Sequence, residues 1–321
     1  MPSLKEIKGR IASVNSTRKI TSAMKMVASS KLHHAQQMIE NMLPYENMLE
    51  RILRSFLASE ADAHTIFSEE RPVRHVAFVV YSSNSSLCGG FNTNVVKMLH
   101  TALEEYSGLD KDSIIVYPIG RKVAEQVQKM GLKSGGDFTS LADKPNVAQC
   151  IDIARELGEK FVKGEIDRVE LIYHHFKSAG SQVLQRKTFL PIEVTEAIGQ
   201  DNDRDLTHKV VTAEMQEYLR NNAKDEEKKD VEAKPLNDNF IVEPDMDTVL
   251  KTLIPKLAHL MLYTALLDSN ASEHAARMVA MQTATDNADE LLRELNLQYN
   301  KSRQQAITNE LLDIVGGSVN N

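Results

Sequence analysis

Only two cysteines, Cys88 and Cys150, occur among 321 residues, and there is no tryptophan. Two thiols cannot build a disulfide framework or a multi-cysteine zinc site, and they suit a reducing, cytoplasmic setting. No stretch approaches the roughly 18 apolar residues that a membrane-spanning helix needs. The nearest, LIPKLAHLMLYTALL, is interrupted by Pro255, Lys256 and His259, so no direct membrane insertion is expected. The opening MPSLKEIKGRIASVNS is charged and periodic from its start and lacks the apolar core and cleavage site of a signal peptide. A net charge of −7 argues against a general nucleic-acid binder. Punctuation is also scarce: no proline follows Pro255, and no glycine stands between Pro244 and Gly316. Nothing there stops a helix.

What is present divides by period. Leu4, Ile7, Ile11 and Val14, then Ile20, Met24 and Val27, recur at helical spacing with small residues between them, predicting a long helix that lets another approach closely. Pro44 should end it near Leu43, with a second helix over Tyr45 to Ser59. The runs VAFVVY, SIIVYPI and VELIYHHF read as strands, separated by helical patterns at Asn94 to Tyr106, Arg121 to Met130 and Val147 to Lys163; Val183 to Val194 reads as a further strand. Alternating strands and helices imply a mainly parallel, Rossmann-like sheet. Thr195 to Asn239, rich in acids and lysines, reads as a solvated insertion with one short helix around Ala213 to Arg220. From Met246 to Val315 the helical pattern never breaks, which at about 1.5 Å per residue is on the order of 100 Å. Met278, Met281, Thr285, Ala288, Leu292 and Leu295 keep a heptad, and Tyr299, Arg303, Ile307 and Leu311 drift from it by fours. The expected fold is α/β plus a long antiparallel two-helix coiled coil, built from the two ends of the chain around an α/β foot, with the C-terminal helix overhanging its partner. The corresponding segments are 1–60, 74–194, 195–240 and 241–321.

Four features invite a functional reading. The loop YSSNSSLCGGFNTNV has the strand, glycine turn and helix order of phosphate sites, yet it lacks the GxxxxGK[ST] and GxGxxG patterns. It is either a nucleotide site or a tight turn in which Gly90 supplies positive φ and Asn92 or Thr93 caps the helix. Cys88, beside Gly89 and Gly90, is either a nucleophile at a helix N-terminus or a small buried side chain. The pairs His33–His34 and His174–His175 diverge by their own geometry and give no metal site. Lys5, Lys8, Arg10, Arg18, Lys19, Lys25 and Lys31, against the single acid Glu6, form a one-sign stripe suited to nucleic acid, lipid headgroups or an acidic protein loop. The missing aromatics count against nucleic acid. Finally Ile307, Leu311, Leu312, Ile314 and Val315 cover most of the circumference of a tip that should protrude, so other subunits should cover it.

These blocks, KEIKGRIASVNSTRKITSAMKMVASSK, LCGGFN, SEHAARMVAMQTATDNA and YNKSRQQAITNELLDIV, occur in an order that resembles the gamma subunits of bacterial F-type ATP synthases. The resemblance implies a central shaft inside a ring of three alpha and three beta subunits. It also implies a foot docked with epsilon onto the membrane c-ring, no cofactor and no catalysis by the chain itself. It places the protein peripherally at the cytoplasmic face of the bacterial inner membrane. It assigns Ile307, Leu311, Ile314 and Val315 to an apolar sleeve at the top of the ring. Arg303, Gln304 and Thr308 fall to a beta loop, and Arg18, Lys19 and Lys25 near Met24 to acidic lever segments of beta. The turn Cys88, Gly89 and Gly90 faces beta. Where the family usually reads SDRGLCG this chain has SSNSSLCG, so Asn84 and Ser85 replace a charged turn.

Overall fold

A computed structural model describes residues 3–59, 67, 69–192, 243 and 246–318. The insertion read at Thr195 to Asn239, with its short helix, lies outside the described residues. Helix α1 (Leu4–Ser59) opens the chain and α6 (Met246–Ser318) closes it. Between them come β1 (Val76–Tyr81), α2 (Phe91–Glu105), β2 (Ile114–Ile119), α3 (Arg121–Met130), β3 (Lys133–Ser134), α4 (Thr139–Asp143), α5 (Val147–Val162), β4 (Arg168–Ser178) and β5 (Ser181–Leu190). Among the described residues no helix is long and apolar enough to cross a membrane.

Pro44 does not end the first helix. It lies inside α1, where its ring nitrogen withholds one donor, leaving the Glu40 carbonyl without its helical partner. A single lost bond is a local cost that the flanking turns override. Pro255 sits within α6 in the same way.

The chain divides into two units. One comprises Met1–Ser29 and Arg277–Asn321, the other Ser30–Ala276. The second is built on a five-stranded sheet in the order β3-β2-β1-β4-β5, parallel except for the β4–β5 hairpin. β1 is buried along its whole length, as an apolar run covered on both faces requires. Val76, Phe78 and Val80 pack with Val95 and Leu99 of α2 and Val123 and Val127 of α3. On the opposite face, Tyr117 of β2 hydrogen-bonds Glu156 of α5 at 2.9 Å, and Tyr81 of β1 donates to the Leu262 carbonyl of α6 at 2.9 Å. The β2–α3 junction needs Gly120, whose φ of 100° and close approach leave an added Cβ 2.2 Å from the Ser82 carbonyl oxygen.

The first unit is an antiparallel pair of helices. Arg18 meets Asp289 at 3.0 Å and Thr21 meets Thr285 at 2.8 Å, so partners run in opposite directions. Ile7, Thr21 and Ala28 of α1 and Met281, Ala288 and Leu295 of α6 are buried, each set spaced by multiples of seven, the signature of a left-handed coil.

Two details depart from the sequence reading. Ile20 and Val27 are 60% and 57% exposed; the seam follows the heptad through Arg18 and Thr21 instead, each paired across the coil. On α6 the seam continues in step through the half-buried Tyr299, Ser302 and Ala306, which leaves Arg303, Ile307 and Leu311 exposed.

Candidate functional site

The strand-to-helix turn after β1 is knitted by side chains from within. Asn92 accepts from the Ser83 N–H at 3.0 Å and donates to the Ser83 hydroxyl at 2.8 Å and to the Cys88 sulfur at 3.1 Å. Cys88 is buried, a small side chain of the turn. Positive φ falls at Leu87 and Gly89, while Gly90 has a φ of −82° and forms the N-cap without a side-chain bond. Gly90 is therefore not the left-handed residue, and neither Asn92 nor Thr93 caps α2. Asn92 lies inside the first turn and holds the loop instead. Asn84 ties the loop outward: it donates to the Thr139 carbonyl and Asp143 carboxylate, both at 2.7 Å, and accepts from the Arg121 N–H at 2.9 Å. One amide thus serves three neighbours at this turn.

In a sheet of this order ligands bind beyond the strand ends, where the direction of strand addition reverses, here between β1 and β4. That crevice is filled by α6. Residues 262–275 are buried without a break, and a helix buried all round must meet its polar residues with partners. Asn270 donates to the Ala142 carbonyl at 2.8 Å, Ser272 to the His174 carbonyl at 3.2 Å, and Asp268 meets Nδ1 of His175 at 2.7 Å. Beside that crevice, at the ends of β1 and β2, a cavity among Tyr81, Ser82, Ile119 and Asn270 measures about 10 Å³, room for one water and far too small for a nucleotide. The polar run DSNASEH within an apolar helix was the sequence signal for this contact.

His174 and His175 point apart, as neighbouring strand residues must. His174 stacks on Phe91 with centroids 4.4 Å apart, whereas His175 faces Asp268. Burial pushes the Cys150 thiol up to about 12 and raises the Tyr81 phenol well above its ordinary range. Both are core groups. Arg186 is held charged by hydrogen bonds to Glu170 and Glu105, which raise its pKa.

Of the residues read as partner contacts, those on the two long helices lie in the coil unit, whereas the turn at Cys88, Gly89 and Gly90 belongs to the α/β unit. Lys19 is exposed, and Met24 and Lys25 are half-buried along the seam. Arg18 is 39% exposed and already paired with Asp289. Met26, at 67% exposure, joins Ile20 and Val27 as apolar side chains open on α1; the apolar spacing placed Ile20 and Val27 in the seam and did not single out Met26.

At the other end Arg303, Gln304 and Thr308 are exposed, the Thr308 hydroxyl being returned to the Gln304 carbonyl at 2.9 Å. Ile307, Leu311 and Leu312 are 50%, 58% and 63% exposed. The side chains of Ile314 and Val315 lie outside the described residues. The register set by Arg18 with Asp289 and Thr21 with Thr285 brings Leu4 opposite about residue 302, so α6 continues past the start of α1 to Ser318, on the order of 20 Å further.

A family described as ATP synthase matches residues 3–319. The ATP synthase gamma chain of Phocaeicola vulgatus is 51% identical over 319 residues, covering 99% of this chain and 100% of that one. That of Bacteroides thetaiotaomicron is 50% identical with the same coverage. In fold, the chain is similar to one from the rotor of the Euglena gracilis mitochondrial ATP synthase, with a TM-score of 0.55, 17% identity, and coverage of 95% of this chain and 98% of that one. Half of its residues are shared with gamma chains along their entire length, and on that ground the chain belongs to the ATP synthase gamma chain family.

Proposed function

We propose that the chain is the central rotor shaft of an F1Fo ATP synthase, turning with an ion-driven c-ring and driving the conformational cycle of three catalytic beta subunits. The chain is a non-catalytic subunit of that complex. The observation that carries this reading is the tip of α6, where Ile307, Leu311 and Leu312 stand exposed beyond the end of the two-helix seam. A continuous apolar surface on a helix that has outrun its partner needs a sleeve supplied by other chains. Contacts made mainly by dispersion and water exclusion have little angular preference, which suits a surface that must turn.

In the same reading Ile307, Leu311, Ile314 and Val315 sit in the apolar collar of the alpha/beta ring, and Arg303, Gln304 and Thr308 meet a beta loop. Lys19 and Lys25, beside Met24, meet acidic levers of beta. Arg18 takes part only by sharing its guanidinium with Asp289. Exposed ion pairs are worth about 0–1 kcal/mol each, so they can break and reform as the shaft turns. The turn at Cys88, Gly89 and Gly90 faces beta, and the α/β unit docks with epsilon and the c-ring. This places the protein peripherally, at the cytoplasmic face of the bacterial inner membrane. Affinity purification of the tagged chain from its own cells should bring down alpha and beta subunits with ATPase activity; recovery of a clean monomer would overturn the proposal.

A further inference from the structure

The stretch of α6 that fills the crevice is held at four points. Tyr81 of β1 donates to the Leu262 carbonyl at 2.9 Å, Asp268 meets Nδ1 of His175 at 2.7 Å, Asn270 donates to the Ala142 carbonyl at 2.8 Å, and Ser272 donates to the His174 carbonyl at 3.2 Å. At about 100° per residue, Leu262, Asn270, Asp268 and Ser272 stand at roughly 0°, 80°, 240° and 280° around the helix axis. The bonds therefore grip the helix from several sides, and they reach β1, β4 and α4. Tyr81, His175, Asp268 and Ser272 are all fully buried, so a bond broken there leaves a polar group unmet. Helix α1 meets the same unit differently, through the buried apolar residues Leu32, Ala35 and Ile39.

We propose that these four bonds are a torsional lock, with Asp268, Asn270 and Ser272 as its positioning residues: they fix the rotation of α6 about its own axis, so that turning of the α/β unit enters the helix without slip. Resting on the rotor reading above, the lock gives two parts of one continuous helix opposite duties. The exposed apolar tip at Ile307, Leu311 and Leu312 makes contacts with little angular preference. The buried stretch needs a strong one. Turning α6 by a single residue step, about 100°, carries all four groups away from their partners at once. Each then bears its desolvation cost with no compensating bond. An apolar interface alone would yield more readily, because dispersion depends on distance and hardly on direction. The polar run DSNASEH thus stands where the flanking sequence offers Leu, Ala and Tyr, which could fill the same crevice but could not hold an angle.

The test uses the assembled complex, fixed to a surface by its alpha and beta subunits and arrested without ATP. A rod is attached through Ser107→Cys, an exposed position of the α/β unit, the native Cys88 and Cys150 being buried. The spread of the rod's angle reads torsional stiffness. Tyr81→Phe combined with Asn270→Leu and Ser272→Ala removes three of the bonds while keeping apolar volume. It should at least double the angular variance and shift the melting of the free chain by only a few degrees. A merely structural role would lower the melting point and leave the variance of assembled complexes as it was. Asp268→Asn, which still accepts from the Nδ1–H, should match the parent, whereas Asp268→Leu should loosen the rod. If the triple variant does not fold, Tyr81→Phe alone, the loss of one hydroxyl, should still widen the distribution. Parental variance in the folded triple variant, or in Tyr81→Phe where that variant stands in for it, overturns the lock. A parent chain that does not assemble with alpha and beta subunits overturns the rotor reading itself.

Discussion

Burial decides the chemistry of His174. The residue is 4% exposed with its ring stacked on Phe91, and desolvation lowers its pKa from 6.5 to about 4. A base whose folded pKa is depressed stays neutral in the native state while the unfolded chain takes up a proton, so stability is full above the unfolded pKa. It falls as pH drops from about 6.5 toward 4. The shift corresponds to about 3 kcal/mol. His174→Gln should remove most of that decline, and urea unfolding at pH 7 and pH 4.5 checks it: parallel losses in both proteins would assign the acid sensitivity to other groups. The neighbouring turn shows the same division between residue type and surroundings. Cys88 and the glycines were legible as a strand-to-helix turn, but which residue takes positive φ was not. Gly89 and Leu87 do so, in a loop that Asn92 ties to Ser83 and Asn84 ties to Arg121, 37 residues away, a bond that no local pattern reveals.

At the level of elements, the coil is a matter of register. Leu295 is 2% exposed and Leu297 is 71% exposed, two residues apart on one helix. Leu295→Ala should cost roughly 2–4 kcal/mol by leaving a cavity in the seam. Leu297→Ala should fall within about 0.5 kcal/mol of the parent. Thermal unfolding followed by circular dichroism separates them, and equal effects would mean the seam is misplaced. The strands β1, β2 and β4 and the helices α3 and α5 were legible because apolar runs of fixed length between turn residues leave few alternatives. The seam of α1 was legible as far as Val14 and again at the half-buried Met24. Between the two the heptad passes through Arg18 and Thr21, polar residues that qualify for the seam only because Asp289 and Thr285 face them from 271 and 264 residues away. An apolar count favours Ile20 and Val27, which point outward. The continuity of α1 through Pro44 escaped for the opposite reason: a local rule was obeyed at one residue and outweighed by the turns around it.

For the whole molecule, the test of the shaft is separation of folding from function. Arg303→Ala combined with Gln304→Ala touches two exposed residues. It should leave the melting of the free chain unchanged while lowering coupled ATP turnover in the assembled complex. Unchanged turnover would remove both from the contact with beta. The α/β unit makes the complementary point, since α6 fills the crevice where a ligand would otherwise bind. Tyr81 finds its acceptor, Leu262, 181 residues later in the chain. At synthesis rates of about 5–20 residues per second, the sheet must wait on the order of ten to a few tens of seconds between the emergence of β1 and that of the helix that closes it. During that interval the nascent protein carries an open cleft at the ends of its strands, lined by groups whose partners do not yet exist. The last quarter of the chain is therefore part of the folding schedule of the first half, and a ribosome that stalls before Leu262 releases a sheet with no lid.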